Sequence, residues 1–238
     1  MKTFNTLIKS LLACLTIILF SGCASQKTWV YRANSYASDG KSSEKKVAVL
    51  PFQDLRENEN HNLSGICFIP LVPYGPQNLN SPEGLQMHTT SGMWVNYKPT
   101  EDFPKALAED LRNTRMFSDA FFDYRRETGD FAVQGKIYST KYVGRTITYC
   151  ISFAGAYLWM VGFPATWTEN ELSIELTLVD AKSEKILFSK TYTAAPRSSC
   201  SWIYCLNNDF NYSEMLAEIN RQFCTDIQPI ILATPKAP

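Results

Sequence analysis

Histidine is scarce in this chain, since only two of the 238 residues are histidines. His61 and His88 lie in a stretch that is typical of a loop, and neither has a second ligand at the spacing of a metal site. The sequence also lacks a Gly-x-Ser-x-Gly nucleophile elbow, a phosphate-binding loop and a dinucleotide-binding glycine pattern. We therefore expect no metal site and no cofactor, and we assign no catalytic residue.

The chain also has no excess of positive or negative charge, because 23 Lys and Arg residues balance 23 Asp and Glu residues. Nucleic-acid binding depends on a basic patch, and this balance argues against it. No acidic tail indicates a partner attracted by charge. The apolar share of 45% is sufficient for a buried core, and the length suits a single domain.

Long apolar runs are absent too. The first apolar run, Leu11 to Phe20, is shorter than the roughly 20 residues that a membrane-spanning helix needs. It follows Lys2 and Lys9 and precedes the small residues Ser21 and Gly22. A positive start, a short apolar middle and a small-residue exit are typical of a secretory signal peptide, so residues 1–22 are predicted to form one.

The end of this segment, Phe20-Ser21-Gly22-Cys23, resembles a bacterial lipobox, in which the cysteine is lipidated and becomes the mature N-terminus. The resemblance makes Cys23 the lipidation site, and several acyl chains at one residue hold a protein stably on a membrane. The same resemblance implies that Ala24, in place of an aspartate, favours the outer membrane over the inner one, with the protein facing the periplasm. Residues 23–45, rich in Ser, Lys and Asn, are predicted to be a flexible tether.

Five cysteines follow the proposed anchor, and an exported chain lies in a compartment where disulfides form. Cys200 and Cys205 are the preferred pair because the loop between them is short. A pair of Cys67 with Cys150 is a weaker hypothesis. Cys224 lies on the apolar stripe of a predicted helix, where a buried thiol is expected. The alternative is that all five are small core residues.

Hydrophobic periodicity predicts helices and strands in one domain, residues 46–230. The uninterrupted apolar run at 46–52 is typical of a strand buried on both faces. Residues 171–193 alternate between apolar and polar, which predicts a β-hairpin. Apolar side chains recur at helical spacing in 101–117 and in 214–227, where Pro229 is expected to end the second helix.

These elements predict an α/β (α+β) fold: a two-layer domain with a mixed sheet of about five strands and two main helices. The signal peptide and the tether precede it. Residues 55–100 and 145–169 are predicted insertions into the domain, and residues 231–238 are a predicted C-terminal tail.

The second insertion contains an uncharged segment of 23 residues between Arg145 and Glu169. Three interpretations remain open: a buried loop or helix that closes the core, a surface that contacts lipid or a partner, or a membrane-inserted hairpin. Aromatic residues of the kind found at membrane interfaces support the second. The candidate contact residues, four from this segment and two from the first insertion, are Tyr157, Trp159, Phe163, Trp167, Phe68 and Tyr74.

Several motifs together resemble a known group of proteins. They are the run Val-Ala-Val-Leu-Pro-Phe-Gln-Asp at 47–54, a helix with Leu107 and Leu111, the sequence Asp130–Gly135 and the hairpin that begins at Leu172. This pattern resembles envelope lipoproteins related to the curli secretion channel, exopolysaccharide-export lipoproteins and the N-terminal domain of the Tol translocation protein. The resemblance implies non-catalytic work in assembly, export or scaffolding, often in rings, and it supplies no catalytic residues.

The expected function is therefore that of a non-enzymatic outer-membrane lipoprotein. It would be an accessory or scaffold in envelope assembly or export that binds an envelope protein partner. The alternative is a component of a secretion channel that assembles with its own copies into a ring or pore. A periplasmic hydrolase ranks third.

Overall fold

A computed structural model describes residues 26–36, 43–80, 87–88, 90, 94–201 and 209–233. The predicted signal peptide, the predicted anchor Cys23 and Cys205 lie outside these residues.

Twelve strands are present in the described residues. In chain order they are β1 (Gln26–Thr28), β2 (Lys46–Val49), β3 (Gln53–Asp54), β4 (His61–Asn62), β5 (Tyr74–Leu79), β6 (Met87–His88), β7 (Trp94–Asn96), β8 (Asp119–Phe122), β9 (Phe131–Ser139), β10 (Tyr142–Ile147), β11 (Thr166–Asp180) and β12 (Ile186–Ser201). The α-helices are α1 (Pro99–Thr114), α2 (Gly155–Met160) and α3 (Tyr212–Ala233).

Nine of these strands form one mixed sheet in the order β4-β5-β10-β11-β9-β2-β8, with β12 also on β11 and β3 on β9. The first part of β11 pairs with β10 and the rest pairs with β9, so β9 and β10 lie end to end along one side of β11. β12 covers the other side. The predicted hairpin is confirmed and is longer than expected, whereas the prediction of about five strands is too low. A separate three-stranded sheet contains β1, β7 and β6.

Helices α1 and α3 cover one face of the main sheet, which gives the predicted two layers. Along β11 every second side chain from Thr166 to Leu178 is buried, and the side chains between them are partly exposed. The buried side chains meet the apolar stripes of both helices, including Phe103, Leu107 and Phe223. Burial of one face of each element therefore explains both the period of two in the strand and the helical period in α1 and α3.

Proline has a different effect in each helix. Pro104 cannot donate to the carbonyl of Thr100, and that oxygen instead accepts the backbone N–H of Phe52 at 2.9 Å. This hydrogen bond links the start of α1 to the end of the first core strand. Pro229 does not end α3, contrary to the sequence prediction, because the apolar stripe continues to the buried Ile231. Part of the predicted C-terminal tail is thus helix.

Two further boundaries differ from the sequence prediction. Residues 26–36, predicted as part of a flexible tether, lie against the domain, where Trp29, Tyr31 and Tyr36 pack on the core. Much of the predicted insertion at 55–100 joins the main sheet through β4 and β5. Neither outcome follows from local sequence, because both depend on contacts with residues distant in the chain.

Among the described residues, no helix has the length and apolar character needed to cross a membrane. The same residues contain no group of three side chains from His, Cys, Asp and Glu arranged to hold a metal ion.

Candidate functional site: an apolar tip

One end of the main sheet carries two loops with many apolar side chains on their surface. The first loop, residues 63–73, leads into β5, and the second, residues 148–164, connects β10 to β11. We call these two loops the apolar tip. Its large apolar side chains, each with 37–83% of its surface exposed, are Leu63, Phe68, Ile69, Leu71, Ile151, Phe153, Tyr157, Met160, Val161 and Phe163.

Side chains connect the two loops directly. The rings of Phe68 and Phe153 stack with centroids 4.6 Å apart. Next to them, the hydroxyl of Ser152 donates to the carbonyl oxygen of Phe68. The buried hydroxyl of Thr148 donates to the carbonyl oxygen of Cys67 at 2.7 Å. The two loops therefore form one surface.

Backbone hydrogen bonds add to this connection. The N–H of Leu71 donates to the carbonyl of Cys150 at 3.1 Å, and the N–H groups of Thr148 and Tyr149 donate to the carbonyl of Pro73 at 2.9 and 3.2 Å. Backbone groups of the tip thus find their partners inside the protein.

The backbone of the tip is strained at four positions. Leu71, Tyr149, Cys150 and Ser152 have φ angles of 70°, 57°, 65° and 55°, in the left-handed region that disfavours side chains. Such residues cost about 1–3 kcal/mol each and persist only where the surrounding structure imposes them, which is typical of binding and active sites. Here the hydrogen bonds between the loops impose the conformation that leaves the apolar side chains in solvent.

The second loop folds into a short turn of 3-10 helix followed by α2. At the start of α2, Gly155 lies so close to Thr148 that a Cβ atom would be 2.5 Å from its carbonyl oxygen. The indole N–H of Trp159 donates to the carbonyl of Ile147 at 2.8 Å, and Trp159 is half-buried. Trp159 therefore holds α2 against the end of β10, while other side chains of α2 extend outward.

A single cation lies at the base of the second loop. The guanidinium of Arg145 lies over the rings of Tyr74 and Trp167, at 5.2 and 4.9 Å from the ring centroids. From 146 to 168, and from 62 to 82, the sequence contains no charged residue. Arg145 thus lies at the boundary between the uncharged tip and the charged body of the domain.

The structure brings the six predicted contact residues to this end of the sheet. Phe68, Tyr74, Tyr157 and Phe163 are exposed, and the remaining two, both tryptophans, are half-buried. The interpretation of 145–169 as a buried element that closes the core is wrong, because the segment between the strands is largely exposed. The connection also contains a 3-10 turn and a short helix in place of two long strands.

Leu71, Phe153 and Val161 are strongly exposed members of the tip that the six candidate residues did not include, although the sequence interpretation favoured the segments that contain them, 66–76 and 149–167. The available signal was the uncharged stretch at 62–82, which matches the one at 146–168. Only the tertiary structure shows that the two stretches meet.

The cysteines divide by burial. Cys67, Cys150 and Cys224 carry free thiols, so the weaker hypothesis of a Cys67–Cys150 pair is wrong in this structure. Cys224 is buried as predicted, and burial raises the pKa of its thiol to about 12. Because Cys205 lies outside the described residues, the pair with Cys200 stays a prediction.

We predict that replacing Gly75 by alanine disrupts the tip. An added Cβ atom would lie 2.0 Å from the backbone oxygen of Ser64, and backbone atoms cannot rotate away as a side chain does. The expected loss is about 3 kcal/mol, which lowers the midpoint of thermal unfolding by roughly 6–12 °C in a chain of this size. Gly65→Ala is the matched control, since no atom lies within 4 Å of its added Cβ. Equal midpoints for the two variants, measured by circular dichroism, would contradict this packing.

Away from the apolar tip, a cluster of polar side chains holds the N-terminal segment in the groove between α1 and α3. Asp110 of α1 is fully buried and accepts hydrogen bonds from the Tyr31 hydroxyl, the Asn34 backbone N–H at 2.6 Å and the Asn220 amide at 2.9 Å. Burial, followed by the bond to Asp110, raises the pKa of Tyr31 far above its usual value. Its hydroxyl therefore stays protonated and remains a donor. This cluster explains why residues predicted as a tether lie on the domain.

No protein-family model matches the chain, and no curated protein matches it in sequence. A Xanthomonas campestris protein assigned to the DUF330 family model aligns with a TM-score of 0.50 and 10% identity, over 86% of this chain and 95% of that one. The PelC dodecamer of Paraburkholderia phytofirmans aligns with a TM-score of 0.38 and 11% identity, over 85% and 97%. A lipoprotein of Neisseria meningitidis aligns with a TM-score of 0.27 and 12% identity, over 76% and 98%.

At these identities the likeness to the Xanthomonas protein concerns the fold alone, and the other two alignments are weaker. The chain therefore shares its fold with a bacterial protein. The resemblance to curli-related, exopolysaccharide-export and Tol lipoproteins stays a prediction.

Proposed function

We propose that this chain is a non-catalytic envelope lipoprotein, anchored to the outer membrane by lipid at Cys23 and facing the periplasm. It works as an accessory or scaffold by binding other envelope components. The lipobox-like sequence at 20–23 supports the anchor. The observation that carries the binding role is the apolar tip, because exposed apolar patches of this kind mark interaction sites.

The chemistry of the tip favours binding over catalysis. Its exposed side chains are aliphatic and aromatic, and the hydroxyls of Thr148 and Ser152 donate to backbone carbonyls. General acid–base catalysis needs a titratable group directed at the substrate. The tip loops contain no Asp, Glu, His, Lys or Arg, and their polar groups of this kind are the hydroxyls of Tyr149 and Tyr157 and the exposed thiol of Cys150. Such a surface gains free energy by losing contact with water.

One observation favours assembly into a ring as a second candidate. Among the described strands, β12 pairs with β11 alone, so a strand of 16 residues has one edge without a partner strand. Edges of this kind are the usual route by which sheets of separate copies join.

Envelope fractionation tests the proposal. We expect the protein to move with outer-membrane vesicles in a density gradient, to resist protease added to intact cells, and to be digested once the outer membrane is opened. Recovery with the inner membrane or the cytoplasm contradicts the proposed location. The size of the detergent-extracted protein separates the two candidates, since a monomer supports the accessory role and a closed oligomer supports the ring.

A further inference from the structure

We infer that the apolar tip inserts into the interface of the same bilayer that holds the lipid anchor. This inference rests on the proposed function, because it needs Cys23 to carry lipid. It names the occupant of the tip as phospholipid and not as a protein partner.

The first step is the direction of the N-terminal segment. The carbonyl of Val30 accepts a hydrogen bond from Ser213 in the first turn of α3, and the Tyr36 hydroxyl reaches Cys224 three turns later. The segment therefore runs along α3 from its N-terminal end toward its C-terminal end. Because β1 precedes Val30, β1 lies at the N-terminal end of the helix.

The second step is the direction of α3 relative to the tip. At its start, the Tyr212 hydroxyl donates to the carbonyl of Thr140, just before β10 runs toward the tip. Further along, Asp226 accepts hydrogen bonds from Lys190 and Tyr192, which lie in the half of β12 remote from the tip. Helix α3 thus points away from the tip, and its N-terminal end, with β1, belongs to the half of the domain that carries the tip.

The small sheet confirms this placement independently. Thr90, which follows β6, shares a hydrogen bond of 2.9 Å with the hydroxyl of Tyr142 in β10. A Cβ atom on Gly144, the third residue of β10, would lie 2.3 Å from the methyl group of Thr90. The small sheet that contains β1 therefore packs beside the strand that leads into the tip.

The third step is the length of chain between the domain and the anchor. Gln26 begins β1, and three peptide units separate it from Cys23. Fully extended, they span at most roughly 10 Å. The bilayer surface must therefore lie close to the half of the domain that carries the tip, and the long tether predicted from sequence does not hold the domain away from it.

The fourth step is the suitability of the tip for insertion into lipid. Polar backbone groups are costly in a lipid environment unless they bond within the protein. The N–H groups of Leu71, Ile151, Val161 and Phe163 all donate to carbonyls within the tip, at 3.0–3.2 Å. The uncharged loops avoid the cost of burying a charge, and the aromatic residues are those that prefer the interface.

Charge complementarity gives the depth of insertion. Arg145, stacked between Tyr74 and Trp167, is the charged residue nearest in sequence to the second loop. A cation at this position faces the phosphate groups of the lipid headgroups when the loop beyond it reaches the acyl boundary. The headgroup level therefore coincides with the ends of β5, β10 and β11.

Photo-crosslinking in vesicles tests this inference. The mature, lipidated protein is reconstituted into vesicles of phosphatidylethanolamine and phosphatidylglycerol, with p-benzoylphenylalanine in place of Phe153. The matched control carries the same residue in place of Ile186, which is equally exposed, at 61% against 59%. Ile186 lies opposite Val179 in β11, roughly 40 Å from the tip at about 3.3 Å per residue.

We expect a phospholipid adduct, detected by mass spectrometry, when the label is at position 153, and no such adduct when the label is at position 186. The same label in place of Val161 repeats the test at a position with no ring contact to disturb. Protein anchored in the vesicles without a lipid adduct at 153 or 161 overturns the inference and leaves the proposed anchor intact. Crosslinks to an envelope protein in place of lipid, obtained in isolated outer membranes, also overturn it. Failure of the wild-type protein to incorporate contradicts the anchor itself, and the inference with it.

Discussion

Replacing Cys23 by alanine is expected to remove the protein from the outer-membrane fraction. The thiol of Cys23 is the acceptor for the lipid in the proposed lipobox, so the variant either accumulates with residues 1–22 still attached or appears in the soluble periplasm. Multiple acyl chains hold a protein stably, whereas one weak apolar contact is reversible. Any attachment through the tip alone should therefore be lost on washing. Immunoblots of membrane and soluble fractions measure the change.

Cys14→Ala is the matched control, because it removes a thiol from the same segment outside the lipobox-like sequence. This variant should remain in the membrane fraction with normal processing. Normal processing and full membrane retention of Cys23→Ala would contradict the lipid anchor.

Replacing Asp110 by alanine is expected to detach the N-terminal segment from the domain. The carboxylate accepts hydrogen bonds from Tyr31, Asn34 and Asn220, and its removal leaves these buried donors without their partner. A buried donor left without its acceptor costs about 1–3 kcal/mol, and three donors lose theirs here, so we expect a loss of about 3 kcal/mol or more. Urea unfolding measures the loss in the free energy of unfolding.

Limited trypsin digestion at Arg32 tests whether the substitution detaches the N-terminal segment, because Arg32 is an exposed residue of that segment. A loss of about 3 kcal/mol in docking raises the open population roughly 100-fold, and cleavage should accelerate accordingly. The control is Glu109→Ala, the exposed neighbour on α1, for which we expect a change within about 0.5 kcal/mol. Equal cleavage rates for the two variants would show that Asp110 does not hold the segment.

The local patterns of the sequence were sufficient for the main elements. The alternation from Leu172 to Leu178 predicted β11 because burial of one sheet face imposes a period of two. The spacing of Phe103, Leu107 and Leu111 predicted α1 for the equivalent reason. Asp110 belongs to the same stripe, seven residues after Phe103, and this position was the available sign that it is buried.

Contacts between residues distant in the chain could not be predicted from these local patterns. β5 reads as irregular in the sequence because it contains Gly75 and Pro76, and it becomes a strand only through its pairing with β10. The N-terminal segment was predicted as a tether from its polar composition. Its order comes from a few contacts, such as Tyr31 with Asp110, which no composition reveals. The apolar tip likewise depends on two stretches that meet only in the folded chain.

Mass spectrometry of the mature N-terminus tests the central claim most directly. Protein extracted from the envelope should yield an N-terminal peptide that begins at Cys23 and carries the added mass of acyl chains. An unacylated chain that begins at Met1 would contradict the anchor, and with it the orientation of the tip toward the bilayer.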